Sequence, residues 1–192
     1  MILAAHQPNY FPWLPWFQKM NQADVFVMLT YCKFSKGGFQ NRFHLHGKWF
    51  TIPTFREEDF IKDRRYIDPD KAWSRIKWNL GMIDQKYATF AELFDECIHE
   101  GVSQTNMAII AKLCDMLGVD IGKIRYDEMS KMGRNDRLIN LCQTYGCDTY
   151  LAGNGSREYL DEEAFLANGI KVQWQEVTQA ERIPIMCAIL DD

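Results

Sequence analysis

Residues 25–29 read Val-Phe-Val-Met-Leu, five apolar positions with no polar residue between them. A strand with one wet face alternates, so an unbroken apolar strand must be covered on both sides, as in a parallel sheet. Residues 2–5, Ile-Leu-Ala-Ala, form a second run of this kind and end at His6. Between the two runs, residues 13–22 carry Trp13, Phe17 and Met20 at helical spacing. Strand, loop, helix and strand within 30 residues make a βαβ unit, whose crossover is almost always right-handed.

The rest of the chain extends this pattern. Gly37-Gly38 and Gly47-Lys48 mark turns around residues 39–46 and 49–52, which predicts a β-hairpin after the second strand. Pro69 follows Asp68 at a first-turn position and predicts a helix to about residue 80. Thr89-x-x-Glu92 has capping-box spacing and predicts a helix from there to about residue 100. Residues 104–117 form another helical stretch, stopped by Gly118. Strands are then expected at 122–127, 149–152 and 170–174, with helices at 134–145 and within 156–168, and 183–190 as a short apolar strand or helix. The expected fold is α/β, a Rossmann-like, mostly parallel sheet with a β-hairpin and a helical insertion at about 68–118. At 192 residues the chain is expected to be one domain.

Charge is spread unevenly. The net charge is −4, yet residues 31–86 hold 12 Lys and Arg against 7 Asp and Glu. A basic, aromatic-rich stretch beside an acidic remainder points to a local anion site rather than a chain that coats nucleic acid along its whole length. The six cysteines form no C-x-x-C pair, and Cys97, Cys114 and Cys142 fall in apolar helical stretches, so they read as buried thiols in a reduced compartment. No apolar run reaches 18 residues, and prolines at 8, 12 and 15 interrupt the N-terminal segment. The expected location is cytoplasmic, with no membrane contact.

Polar chemistry gathers in three loops. His6-Gln7-Pro8-Asn9-Tyr10 follows the first strand, where open α/β sheets bind ligands. His6 titrates near neutrality, while Gln7, Asn9 and Tyr10 donate and accept hydrogen bonds. Lys33, Lys36, Gln40, Asn41 and Arg42 follow the second strand, where cations can hold phosphate, Phe34 and Phe39 can stack on a base, and amides can read its edge. Gly153-Asn154-Gly155-Ser156 lies between a strand and a helix and can offer backbone N–H groups to an anion. His44-x-His46 places two imidazoles on one strand face, but no third ligand has matching spacing, so no metal site is expected.

These residues carry a family resemblance. His6 to Leu14, Ala23-Asp24-Val25-Phe26-Val27, Phe39-Gln40-Asn41-Arg42, Trp49-x-Thr51-x-Pro53, Tyr150-Leu151-x-Gly153-x-Gly155 followed by Tyr159-Leu160, and Ile183-Pro184 resemble the WbqC-like family in order, over nearly the whole chain. Many members carry two aspartates just after the second strand, where this chain has Thr30-Tyr31. The resemblance implies amino-acid transfer, to surface-polysaccharide units or to DNA in phages that hypermodify thymine. The opening is also similar, at the level of fold, to nucleotidyltransferases with a His-rich first loop.

On that resemblance, the expected partners are DNA bearing a phosphate-activated hydroxymethyl pyrimidine and a free amino acid such as glycine. The alternative acceptors are a nucleotide sugar or an O-antigen unit. A third reading is a binding protein for a modified base, without catalysis. His6, Lys33 and Tyr10 are the expected catalytic residues. Gln7, Asn9, Lys36, Gln40, Asn41, Arg42, Gly153, Asn154 and Ser156 are the expected substrate contacts. No cofactor is firmly expected, although a divalent cation can accompany a phosphate leaving group. The oligomeric state is not readable from the sequence.

Overall fold

A computed structural model describes residues 1–57, 59–127 and 132–191. Five parallel strands form the central sheet: β1 (Ile2–His6), β2 (Val25–Met28), β5 (Ile124–Tyr126), β6 (Thr149–Ala152) and β7 (Lys171–Trp174). Their order is β5-β2-β1-β6-β7. The chain therefore winds outward from β1 to one edge, returns, and winds to the other. The point of reversal lies between β1 and β6, and doubly wound sheets bind ligands at the carboxyl ends of the strands there.

The unbroken apolar strands are covered on both faces, as expected. Ala4, Phe26 and Met28 pack with α1 (Leu14–Gln22) and α4 (Val102–Leu117) through Trp16, Phe17, Met20, Ile109, Ile110 and Leu113. Leu3, Ala5, Val25 and Val27 face the other way, against Leu138, Ile139 and Cys142 of α5 (Arg134–Thr144) and Phe165 of α6 (Glu162–Ala167). Gly118 ends α4 in the left-handed region at φ 64°, where a side chain would strain the backbone.

The crossover from β2 to β5 carries the expected insertion. It holds the antiparallel hairpin of β3 (Arg42–Leu45) and β4 (Lys48–Thr51), then α2 (Pro69–Gly81) and α3 (Gln85–Glu92), before α4 returns to the sheet. The hairpin turn is His46-Gly47, with φ of 45° and 76°, the two positive values that a tight two-residue turn needs. The Thr89 cap expected from spacing is absent. Thr89 lies inside α3, and the helix starts earlier, where the Asp84 side chain accepts from the Lys86 N–H. Capping-box spacing recurs by chance, and the true cap is the residue whose backbone leaves the helix. The apolar tail forms a short helix, α7 (Ile185–Leu190). Among the described residues no helix is long and apolar enough to cross a membrane.

Candidate functional site at the carboxyl edge of the sheet

The loop after β1 and the loop after β2 meet, as their places after neighbouring strands predict. Leu29 donates its N–H to the His6 carbonyl, Tyr10 N–H donates to the Phe39 carbonyl at 2.8 Å, and the Gln40 side chain donates to that of Gln7. A clamp from α4 fixes this junction. Asn106 is fully buried and its amide donates to the carbonyls of Pro8 (2.8 Å) and Gln40 (2.7 Å), while its oxygen accepts from the Tyr66 hydroxyl. Nothing in the local sequence around Asn106 signals this role, because its partners lie 98 and 66 residues away.

His6 ends β1 half-buried. Its Nδ1 lies 3.0 Å from the Gln7 carbonyl oxygen and its ring packs edge-on against Trp16. Burial and the nearby Lys19 charge pull its pKa down to about 4, so the imidazole is neutral at pH 7.

Lys19 was not expected here, since on sequence it is only the single base among residues 1–30. The side chain runs from α1 under the sheet edge, where Nζ donates to the Ala5 carbonyl at 3.1 Å. The residue is 4% exposed, and no carboxylate pairs with it among the described residues. Burial lowers its pKa to about 8. A Cβ placed on Gly153, just past β6, would stand 3.8 Å from Nζ. Lys19 thus sits between the ends of β1 and β6, at the reversal point. The 3-10 turn Asn154–Ser156 follows directly, with Ser156 Oγ bonded to the Tyr159 hydroxyl at 3.0 Å.

The other expected site residues separate into three groups. Lys33 and Lys36 are exposed, and Lys33 pairs by backbone with Phe60. Arg42 is not a free cation: its guanidinium donates to the carbonyls of Gly37 and Gly38 and stacks 4.0 Å from the Trp49 ring, so it closes its own loop. Asn41 is buried and donates to the Ile52 carbonyl, and Gln40 is buried at the loop junction.

Tyr10 does not fit the catalytic role expected of it. It has no exposed surface, and its ring packs against Phe11, Phe43, Tyr66 and Trp73. A group that orients a substrate or reacts with it must touch it, and this hydroxyl lies within an aromatic core.

Beyond the first loop lies an aromatic cavity of about 270 Å³, lined by Asn9, Trp13, Phe39, His44, Trp49 and Arg182 among others. Trp13 and Phe39 stack with centroids 6.1 Å apart, and Phe39 meets Trp49 at 5.7 Å. All three rings remain partly exposed, at 41%, 43% and 47%. Large rings left wet together are what a stacking ligand requires. Trp49 also borders a groove lined by Lys48, Arg75 and Asn79. The spacing predicts Trp13 within the helix beside Phe17 and Met20, but the helix begins at Leu14 and Trp13 stands at its N-cap; Arg182 carries no local signal.

Just past β5, a buried carboxylate lies beside the end of β2. Asp127 is buried, its N–H donates to the Met28 carbonyl, and its side chain forms an ion pair with Arg137, which also reaches Cys32 Sγ at 3.5 Å.

The arrangement is a Rossmann-like sheet edge whose first loop, hairpin and β6 turn carry the motif residues, and the family model for the WbqC-like protein family matches residues 7–182. The chain belongs to the WbqC-like protein family. It is also 27% identical over 186 residues, covering 90% of this chain and 80% of the relative, to Uncharacterized protein Rv1507c of Mycobacterium tuberculosis (strain ATCC 25618 / H37Rv). No solved structure matches. For this WbqC-like chain, matched from Gln7 onward, the shared region covers the first loop, the hairpin and the β6 turn, and also Lys19.

Proposed function

We propose that this WbqC-like protein is a transferase that joins the amine of an amino acid to a phosphate-activated hydroxymethyl pyrimidine in DNA. The observation that carries the reading is Lys19, a buried ammonium without a carboxylate partner among the described residues, placed where doubly wound sheets take phosphorylated ligands. Burying a charge is costly unless a counter-charge arrives, and a phosphate would supply one.

In the proposed step the amine nitrogen attacks the exocyclic methylene carbon. The carbon–oxygen bond to phosphate breaks, and phosphate leaves with the electron pair beside Lys19. The proton released by the amine passes to the neutral His6 imidazole, whose basicity rises as the anion gathers charge next to it. The Gly153–Ser156 turn offers backbone N–H groups to the same anion. A divalent cation, if the leaving group needs one, would enter with the phosphate, since Asp127 is committed to Arg137.

The base would leave the stack and enter the cavity of Trp13, Phe39 and Trp49, with Asn9 reading its edge. The adjoining groove with Lys48 and Arg75, together with exposed Lys33 and Lys36, would follow the strand backbone. That groove favours DNA over a nucleotide sugar, which needs no track beyond the cavity.

The test is nucleoside mass spectrometry. Duplex DNA containing hydroxymethyluracil is activated by a suitable kinase and ATP, then incubated with the protein and a pool of amino acids. The expected result is a base heavier than hydroxymethyluracil by one amino acid less one water, lost in Lys19→Met. An unchanged activated base with every amino acid overturns the DNA reading. Unaltered binding of that DNA without turnover would instead support a pure binding role.

A further inference from the structure

A second cluster of chemistry lies outside the sheet edge. His46 forms the hairpin turn in the left-handed region, a conformation uncommon for residues other than glycine. Its imidazole faces α7, where Cys187 and Asp191 stand four residues apart and so share one side of the helix. His46 Nε2 and Cys187 Sγ are 3.9 Å apart, and the three ligand atoms of His46, Cys187 and Asp191 all lie within 4.8 Å of one another. Tyr87 of α3 points its hydroxyl into the middle, 2.6 Å from His46 Nε2, 2.8 Å from an Asp191 oxygen and 3.8 Å from Cys187 Sγ. Lys86 holds the other Asp191 oxygen at 2.6 Å.

We propose that His46, Cys187 and Asp191 form a zinc site that clips the hairpin turn to the C-terminal helix. Imidazole nitrogen, thiolate sulfur and carboxylate oxygen are the ligand set of tetrahedral zinc, and a hard cation such as Mg²⁺ would not select it. Bonds of roughly 2.0–2.3 Å at tetrahedral angles need ligand atoms roughly 3.3–3.7 Å apart, so the three groups close by small side-chain rotations. Cys187 gives its thiol proton to solvent on ligation. The Asp191 oxygen now facing Tyr87 turns to the ion, while Lys86 keeps the other oxygen. The fourth position is left to water or the Tyr87 hydroxyl. His46 and Cys187 are partly or well exposed, which gives the ion an entry path.

The clip bears on the aromatic cavity without depending on the proposed transfer. His44 and Pro184 line that cavity, two and three residues from His46 and Cys187 on the same hairpin and the same helix start. Zinc at this place would fix two of its walls.

The test uses the full chain, stripped with chelator and titrated with zinc and then with cobalt(II). The expected result is one zinc per chain, with affinity at least tenfold weaker in His46→Ala and in Cys187→Ser and unchanged in Cys32→Ser. Cobalt should give a sulfur-to-metal charge-transfer band that Cys187→Ser abolishes. Excess Mg²⁺ should not compete. Failure of the wild-type chain to take up stoichiometric zinc overturns the site. So does zinc bound equally well by both ligand variants, which would place the ion elsewhere. Neither outcome depends on transfer activity, so this site and the proposed function fail separately.

Discussion

Lys19 donates to the carbonyl of Ala5 at 3.1 Å, from inside the carboxyl edge of the central sheet and with almost no exposed surface. One hydrogen bond to a neutral oxygen, with the Tyr150 ring centre 6.0 Å from Nζ, does not offset the burial of a full charge. The folded state therefore carries a cost at this residue that an anion would relieve, and a stability measurement can read it. With a pKa near 8 against 10.5, Lys19 destabilises the free protein at pH 7 by roughly 3 kcal/mol. Lys19→Met should raise the midpoint of urea unfolding while removing anion binding. A variant less stable than wild type would show that Lys19 serves only to hold Ala5.

The pH dependence follows from His6. Its pKa falls from 6.5 to about 4 on folding, so between those values the unfolded chain takes up a proton that the folded chain refuses. This contribution is complete above pH 6.5 and is lost as pH falls toward 4. His6→Gln should flatten stability over that window, whereas a slope identical to wild type would show that other groups set it.

Tyr10 and Asn106 make opposite predictions about buried polar groups. The Tyr10 hydroxyl has no hydrogen-bond partner among the described residues, so Tyr10→Phe should leave stability unchanged or raise it by about 1 kcal/mol. It should leave transfer intact in the mass-spectrometric assay. Loss of turnover in a well-folded Tyr10→Phe protein would return Tyr10 to the reaction.

Asn106→Leu removes the donor to two buried carbonyls and should cost between about 1 and 3 kcal/mol, read from the unfolding midpoint. Because those carbonyls belong to Pro8 and Gln40, ligand affinity should fall as well. A neutral result would show that the loop junction stands without its clamp.

Trp49 is half exposed, so its truncation should barely affect folding. Trp49→Ala should weaken binding of a short single-stranded DNA by about tenfold, as loss of one stacking ring does. The measurement is fluorescence anisotropy of labelled DNA. An unchanged affinity would show that the aromatic cavity does not take the base.

The parallel sheet was legible because a strand covered on both faces leaves its mark in every residue, as in 25–29. The hairpin and the helices at 69–81 and 102–117 were legible from Gly47, Pro69 and Gly118, whose backbone constraints are local. The start of α3 was not, because Thr89 and Glu92 have cap spacing without cap geometry. In the site, His6, Gln7, Asn9 and the Gly153 turn were visible as polar residues at strand ends. Lys19 was not, since a buried lysine on a helix looks like any surface base until the helix is docked. Cys187 and Asp191 escaped for a related reason: a side-chain cluster assembled across 141 residues has no spacing to read.

The phosphate of an activated acceptor is proposed to bind at Lys19, between the ends of β1 and β6. Titration of pyrophosphate by isothermal calorimetry, with the His6 imidazole followed by NMR, tests it most directly. The expected result is one bound pyrophosphate, a His6 pKa that rises from about 4 on binding, and loss of both effects in Lys19→Met. Binding that survives Lys19→Met but disappears in a Lys33→Ala, Lys36→Ala double variant would place the anion on the exposed loop and contradict the claim.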